Sequence, residues 1–224
     1  MIGILEEWLL AAIENLFVGI LFTIISIKHL LGYQRNKLRE TLLLALFFLF
    51  AGMTMIVLGS FEFILQARRA QFPPIHNLTI DILTYAFSLM LLAFLVSFIE
   101  LGNIGKMIIV VAIAIFPIFI FYGYSYHAGM IMSAALLLIV IVLFLYIYKL
   151  NGSIKAFTFA LGLTLYIVSR IFSPLPMPLF IISPILVISG GFIIFLGQMD
   201  LLTRRRVERP VAWISKLEEK FEVR

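Results

Sequence analysis

Apolar residues fill seven runs along the chain, and polar residues gather in the short gaps between them. The runs cover residues 8–30, 41–65, 79–99, 107–125, 129–149, 155–173 and 178–200. About 20 apolar residues in helical form span the hydrocarbon core of a bilayer, so each run predicts one membrane-spanning helix. Polar and small residues interrupt some runs at helical spacing. Ala12, Asn15, Gly19, Thr23 and Ser26 recur every three or four residues, as do Asp81, Thr84 and Ser88, and Thr158, Gly162, Tyr166, Ser169 and Ser173. That spacing places each set on one helix face, turned toward the bundle and away from lipid. Ala45, Gly52 and Gly59 lie seven apart in the second run, Gly190 and Gly197 do so in the seventh, and Ala156 and Ala160 form a small pair in the sixth. Such positions let helix backbones approach closely. Pro117 and Pro184 lie inside the fourth and seventh runs and predict kinks there.

The expected fold is therefore all-α: a polytopic membrane protein whose residues 1–200 form a seven-transmembrane-helix bundle. Residues 201–224 form a basic juxtamembrane segment and an amphipathic cytoplasmic helix. Composition agrees, since 63% of residues are hydrophobic and 13% charged, against about 45–50% and about 25% in soluble domains. In this setting the net charge of +5 marks a membrane side and not a nucleic-acid partner. Eleven Lys and Arg residues (28, 35, 37, 39, 106, 149, 155, 204, 205, 206 and 209) fall on one side of the predicted bundle, and only Arg68 and Arg69 on the other. The excess predicts an N-terminus outside and a C-terminus in the cytoplasm, in a multi-pass protein of the cell membrane. Glu6 and Glu7 stand where a signal peptide would carry basic residues, so the first run is expected to be retained. Abundant Ile and few Asn or Gln give a thermophile-like composition.

Ionisable residues inside the runs carry the most functional information, because each is costly in lipid. Glu14, Glu62, Asp81 and Arg170 all fall in the outer leaflet, on four different helices. With Asn15 and Tyr166 they form the candidate ligand or ion cluster. A structural ion pair between Arg170 and one or more of the acids is one reading. A water-accessible pocket is the other, and three acids against one arginine favour a cation or proton there. Lys28, Glu40, Glu100, Lys106 and Lys149 fall at inner helix ends, where they are expected to reach the interface.

In the tail, Val211, Ile214, Leu217 and Phe221 share one helical face flanked by Trp213, with Arg204, Arg205 and Arg206 just ahead. This pattern suits contact with the inner membrane surface or docking to a separate cytoplasmic or membrane protein. The bilayer is the expected partner throughout, and a homo-oligomer is compatible with the pattern.

Other chemistry lacks residues to carry it. The chain has no cysteine, which excludes disulfides and thiolate metal sites. Residues 178–200 hold no lysine for a retinal Schiff base. His29, His76 and His127 fall near helix ends or in loops with no HExxH, so they are read as interfacial polar residues and not haem or zinc ligands. No nucleophile elbow or P-loop occurs. The expectation is a protein that is not an enzyme and holds no cofactor or metal.

In helix number, orientation, short loops and basic juxtamembrane tail, the chain resembles the seven-helix input modules of prokaryotic membrane sensor proteins. That resemblance implies a sensor- or receptor-like role, with a signal passing to a cytoplasmic partner where those modules carry an output domain. A membrane-complex subunit fits the same features. The alternative is a small transporter or channel for a cation, proton or small polar solute. Helices two to four and five to seven would then form inverted triplets, each with a proline in its third member.

Overall fold

The computed structural model describes residues 2–67, 75–99, 107–114, 126–172 and 179–202. All regular structure in these residues is helical: α1 (Ile2–Asn36), α2 (Arg39–Ala67), α3 (Ile75–Ile99), α4 (107–114), α5 (Tyr126–Asn151), α6 (Ile154–Phe172) and α7 (Ile182–Gln198). A three-ten turn, Leu179–Ile181, leads into α7. Four segments are long and apolar enough to cross a membrane: Leu9–Asn36, Thr41–Ile64, Ala134–Asn151 and Ile154–Phe172. Tyr85–Val96 and Ile182–Gln198 are apolar but shorter.

The burial pattern is that of a lipid-facing protein. Ile20, Ile27, Met53, Val57 and Val142 are exposed, while Ser26, His29, Glu62, Thr158 and Gln198 are buried. Large apolar surface left outside is informative where polar groups are turned inside. With four such helices, the molecule is built to be embedded in a membrane.

The chain divides into two compact units. The first combines Met1–Gln71 with Ser153–Ala212 and holds α1, α2, α6 and α7. The small-residue stripe of α2 receives the polar stripe of α1. Ser26 Oγ donates to the Ala45 carbonyl at 2.8 Å. A Cβ on Gly52 would lie 2.7 Å from Thr23 Oγ1 and 2.9 Å from the Gly19 carbonyl. Gly59 faces Ala12 and Leu16 in the same way. The residue numbers fall on one helix as they rise on the other, so α1 and α2 run antiparallel. Lys37, at φ 56°, makes the turn between them, and Asn36 Oδ1 accepts from the Leu38 amide at 3.1 Å.

A second glycine seam joins α6 to α7. A Cβ on Gly190 would stand 2.7 Å from the Gly162 carbonyl, and Gly197 seats against Thr158. Gly191 faces Val18 of α1, which ties α7 to α1. Phe48, fully buried, is the aromatic hub: its ring lies 5.3 Å from Phe22, 5.5 Å from Phe159 and 6.1 Å from the His29 ring.

The second unit, Phe72–Gly152 with Trp213–Arg224, holds α3, α4 and α5. Leu92 and Leu95 of α3 and Val140 and Ile147 of α5 are fully buried. The Tyr85 hydroxyl donates to the Ala112 carbonyl, linking α3 to α4.

One expectation changes. α7 begins at Ile182, so Pro184 sits in its first turn, where a missing N–H costs nothing; no kink follows. Pro117 lies outside the described residues.

Candidate functional site

The first unit carries a polar cluster at each end. Fourteen residues of α1 separate Glu14 from Lys28, a helical rise of about 21 Å. That distance is most of the hydrocarbon thickness of a bilayer, about 30 Å.

At the carboxylate end, Asn15 Nδ2 donates to Glu62 Oε2 at 2.9 Å. The close α1–α2 approach at Ala12 and Gly59 brings the short asparagine within reach of a side chain 47 residues away. Glu62 is 2% exposed. Glu14 lies within electrostatic reach of both Glu62 and Arg170. Tyr166 stands one turn before Arg170 on α6, and its carbonyl accepts from Ser169 Oγ at 2.6 Å. Thus α1, α2 and α6 bring Glu14, Asn15, Glu62 and Arg170 together. Among the described residues here, two carboxylates stand against one guanidinium. Asp81 belongs to α3 in the second unit, and its side chain lies outside the described residues. So do Arg204, Arg205, Arg206, Trp213 and Phe221.

At the opposite end, α7 closes on a carboxylate that bridges two helices. The Asp200 amide donates to the Gly197 carbonyl at 3.2 Å and the Leu201 amide to the Leu196 carbonyl at 3.1 Å. This is a Schellman cap, with Asp200 at φ 61° in the position usually given to glycine. Asp200 Oδ2 lies 2.7 Å from Lys28 Nζ, and Oδ1 lies 2.7 Å from Lys155 Nζ. Lys28 also donates to the Gln198 carbonyl, one of the acceptors that a helix C-terminus leaves unpaired. Burial raises the Asp200 pKa, but hydrogen bonds and charge from Lys155 and Lys28 outweigh it and hold the carboxyl below its ordinary value.

This end corrects the sequence reading. Lys28 does not extend to the interface as a solvated charge; it converges with Lys155 on Asp200, and Lys155 is 3% exposed. His29, expected at the interface, is fully buried with its ring stacked over Phe48. Gln198 is fully buried beside it. Neither Gln198 nor Asp200 was singled out by pattern. Their signal in the sequence is faint: two polar residues at the end of an apolar run, which usually mark only the headgroup level.

Among the described residues, no group of three or more His, Cys, Asp or Glu is placed to hold a metal ion. No family model matches the chain, and neither the curated proteins nor the solved structures compared with it give a match.

Proposed function

We propose that the chain is a non-enzymatic seven-span protein of the cell membrane, with its N-terminus outside and its C-terminus in the cytoplasm. It would act as a sensor- or receptor-like module, or as a subunit of a membrane complex. One observation carries the reading: α1 and α6 each hold a residue of both polar clusters. α1 supplies Glu14 and Lys28, and α6 supplies Arg170 and Lys155. A helix moves largely as a body. A cation or proton that draws Glu14, Glu62 and Arg170 into a new spacing would therefore displace Lys28 and Lys155 about Asp200. Asp200 immediately precedes the 201–224 segment, which in this reading meets the inner membrane surface or a partner protein.

A transporter or channel is the second reading, supported by polar clusters at both ends of one unit. The residues between them favour the first. Thr23 and Ser26 donate to the carbonyls of Gly19 and Ala45, and Thr158 and Thr164 to those of Lys155 and Ala160. Only Ser26 bridges two helices and the other three hydroxyls return to their own helix; all four donate to backbone, which leaves no hydroxyl donor among them for a water path.

The test uses the cysteine-free chain as a clean background. Single-cysteine variants in each loop, labelled with an impermeant maleimide in intact cells, report orientation and span number. A fluorophore on W213C in reconstituted vesicles then reports the tail while external pH or sodium is varied. The sensor reading expects a saturable change that is lost in E14Q and E62Q, with no ion flux above protein-free vesicles. Proton or sodium flux that E62Q abolishes would overturn it in favour of the transporter.

A further inference from the structure

The Lys155 end has a property that its ion pairs do not explain. Both ring nitrogens of His29 and both amide heteroatoms of Gln198 are buried short of a full set of hydrogen-bond partners, and Lys155 Nζ, buried near the His29 ring, gives only one of its three donors to Asp200, at 2.7 Å. The Gln198 amide stands close enough to act on the His29 ring, which leaves at least one heteroatom of each without a partner. His29 and Gln198 are 0% exposed and Lys155 is 3% exposed, so bulk water does not satisfy them. Native proteins rarely leave such atoms unpaired.

The unpaired groups have a definite character. The Gln198 amide offers two N–H donors, the His29 ring one in its neutral form, and Lys155 further donors of its own, against one amide oxygen and one ring nitrogen as acceptors. Among the described residues, the charges around these groups are Lys28 from α1, Lys155 from α6 and Asp200 after α7. Two ammonium groups against one carboxylate leave one positive charge in a low-dielectric site, which is costly unless matched. A metal cation is repelled by the same two lysines.

We infer that the His29–Lys155–Gln198 cluster binds one small monovalent anion of the chloride class. The anion accepts from the amide and ammonium donors and neutralises the charge that Asp200 leaves over. Burial disfavours a lipid phosphate, because the unpaired atoms are closed off from the surface, whereas the Lys28 and Asp200 side chains are 28% and 29% exposed. The site shares no residue with the carboxylate cluster and does not depend on its role.

The probe is chloride itself, added to the full chain in lipid nanodiscs. The ³⁵Cl NMR line should broaden in proportion to protein, and bromide should compete. The thermal midpoint should rise saturably by several degrees in chloride over gluconate at matched ionic strength. K155Q and Q198L should each weaken binding at least tenfold. D200N, which removes the carboxylate competing for the same ammonium groups, should tighten binding several-fold. No protein-dependent broadening in the wild type would overturn the proposal, a measurement that requires no variant to fold. Equal broadening in K155Q would overturn it too, since the anion would then sit elsewhere.

Discussion

Lys28 and Asp200 are 172 residues apart in the chain and 2.7 Å apart in space. With Lys155 on the other carboxylate oxygen, Asp200 fastens the end of α7 to the beginning of α6 and the later part of α1. The carboxylate separates two ammonium groups that would otherwise repel one another where water is scarce. Removing one partner of a buried pair costs about 3–5 kcal/mol. Because the Asp200 side chain retains 29% exposure, D200N in chloride-free buffer should destabilise by about 2 kcal/mol, read from thermal or denaturant unfolding in detergent. Asn tolerates the left-handed backbone about as well as Asp, so the loss reports charge. D200G relaxes the backbone as well and should lose slightly less.

The same carboxylate sets an acid limit. Its pKa is lower in the folded protein than the ordinary 3.8. Its stabilisation is therefore complete above that ordinary value and disappears as pH falls through the lower folded value. Stability of the wild type should fall below pH about 4 with a limb that D200N lacks. Superimposable acid limbs would remove Asp200 from the account.

The glycine seams make a graded prediction. A methyl group on Gly190 meets the Gly162 carbonyl at 2.7 Å, and backbone cannot yield; on Gly191 it meets Val18 Cγ2 at 2.9 Å, a side-chain tip that can shift. G190A should cost about 1–3 kcal/mol and G191A clearly less. G152A meets nothing within 4 Å, but its φ of +67° should cost about 1 kcal/mol through backbone strain alone. Unfolding midpoints measured side by side check the order.

The Asn15–Glu62 bond predicts energetic coupling at the carboxylate end. N15A leaves a 2% exposed carboxylate short of a donor, at a cost of about 1–3 kcal/mol. In the double mutant with E62Q much of that cost should vanish, giving a coupling energy of about 1 kcal/mol. Strict additivity would mean that the bond contributes nothing.

Much of the helix pattern was legible in the chain because spanning length and helical period are local properties. The apolar runs at 41–65 and 155–173 correspond closely to α2 and α6. The α1–α2 seam was legible too, since Gly52 and Gly59 advertise close approach and Ser26 and Thr23 fall on one face. The residues of the carboxylate end were nameable because a charge inside an apolar run stands out. Which acid meets Asn15 was not, because that depends on the register of α1 against α2.

The opposite end was misread for a physical reason. A lysine at the end of an apolar run looks the same in sequence whether it reaches to water or turns inward. His29 and Gln198 likewise look like headgroup-level residues. The sequence by itself determined an apolar, cysteine-free, helical chain suited to a membrane, and which residues are charged within its runs. Only the tertiary structure decided that Lys28, Lys155 and Asp200 converge and that α1 and α2 group with α6 and α7. Those outcomes depend on how closely glycine-lined backbones approach and where the α7 cap points its carboxylate, and both are properties of helices packed together.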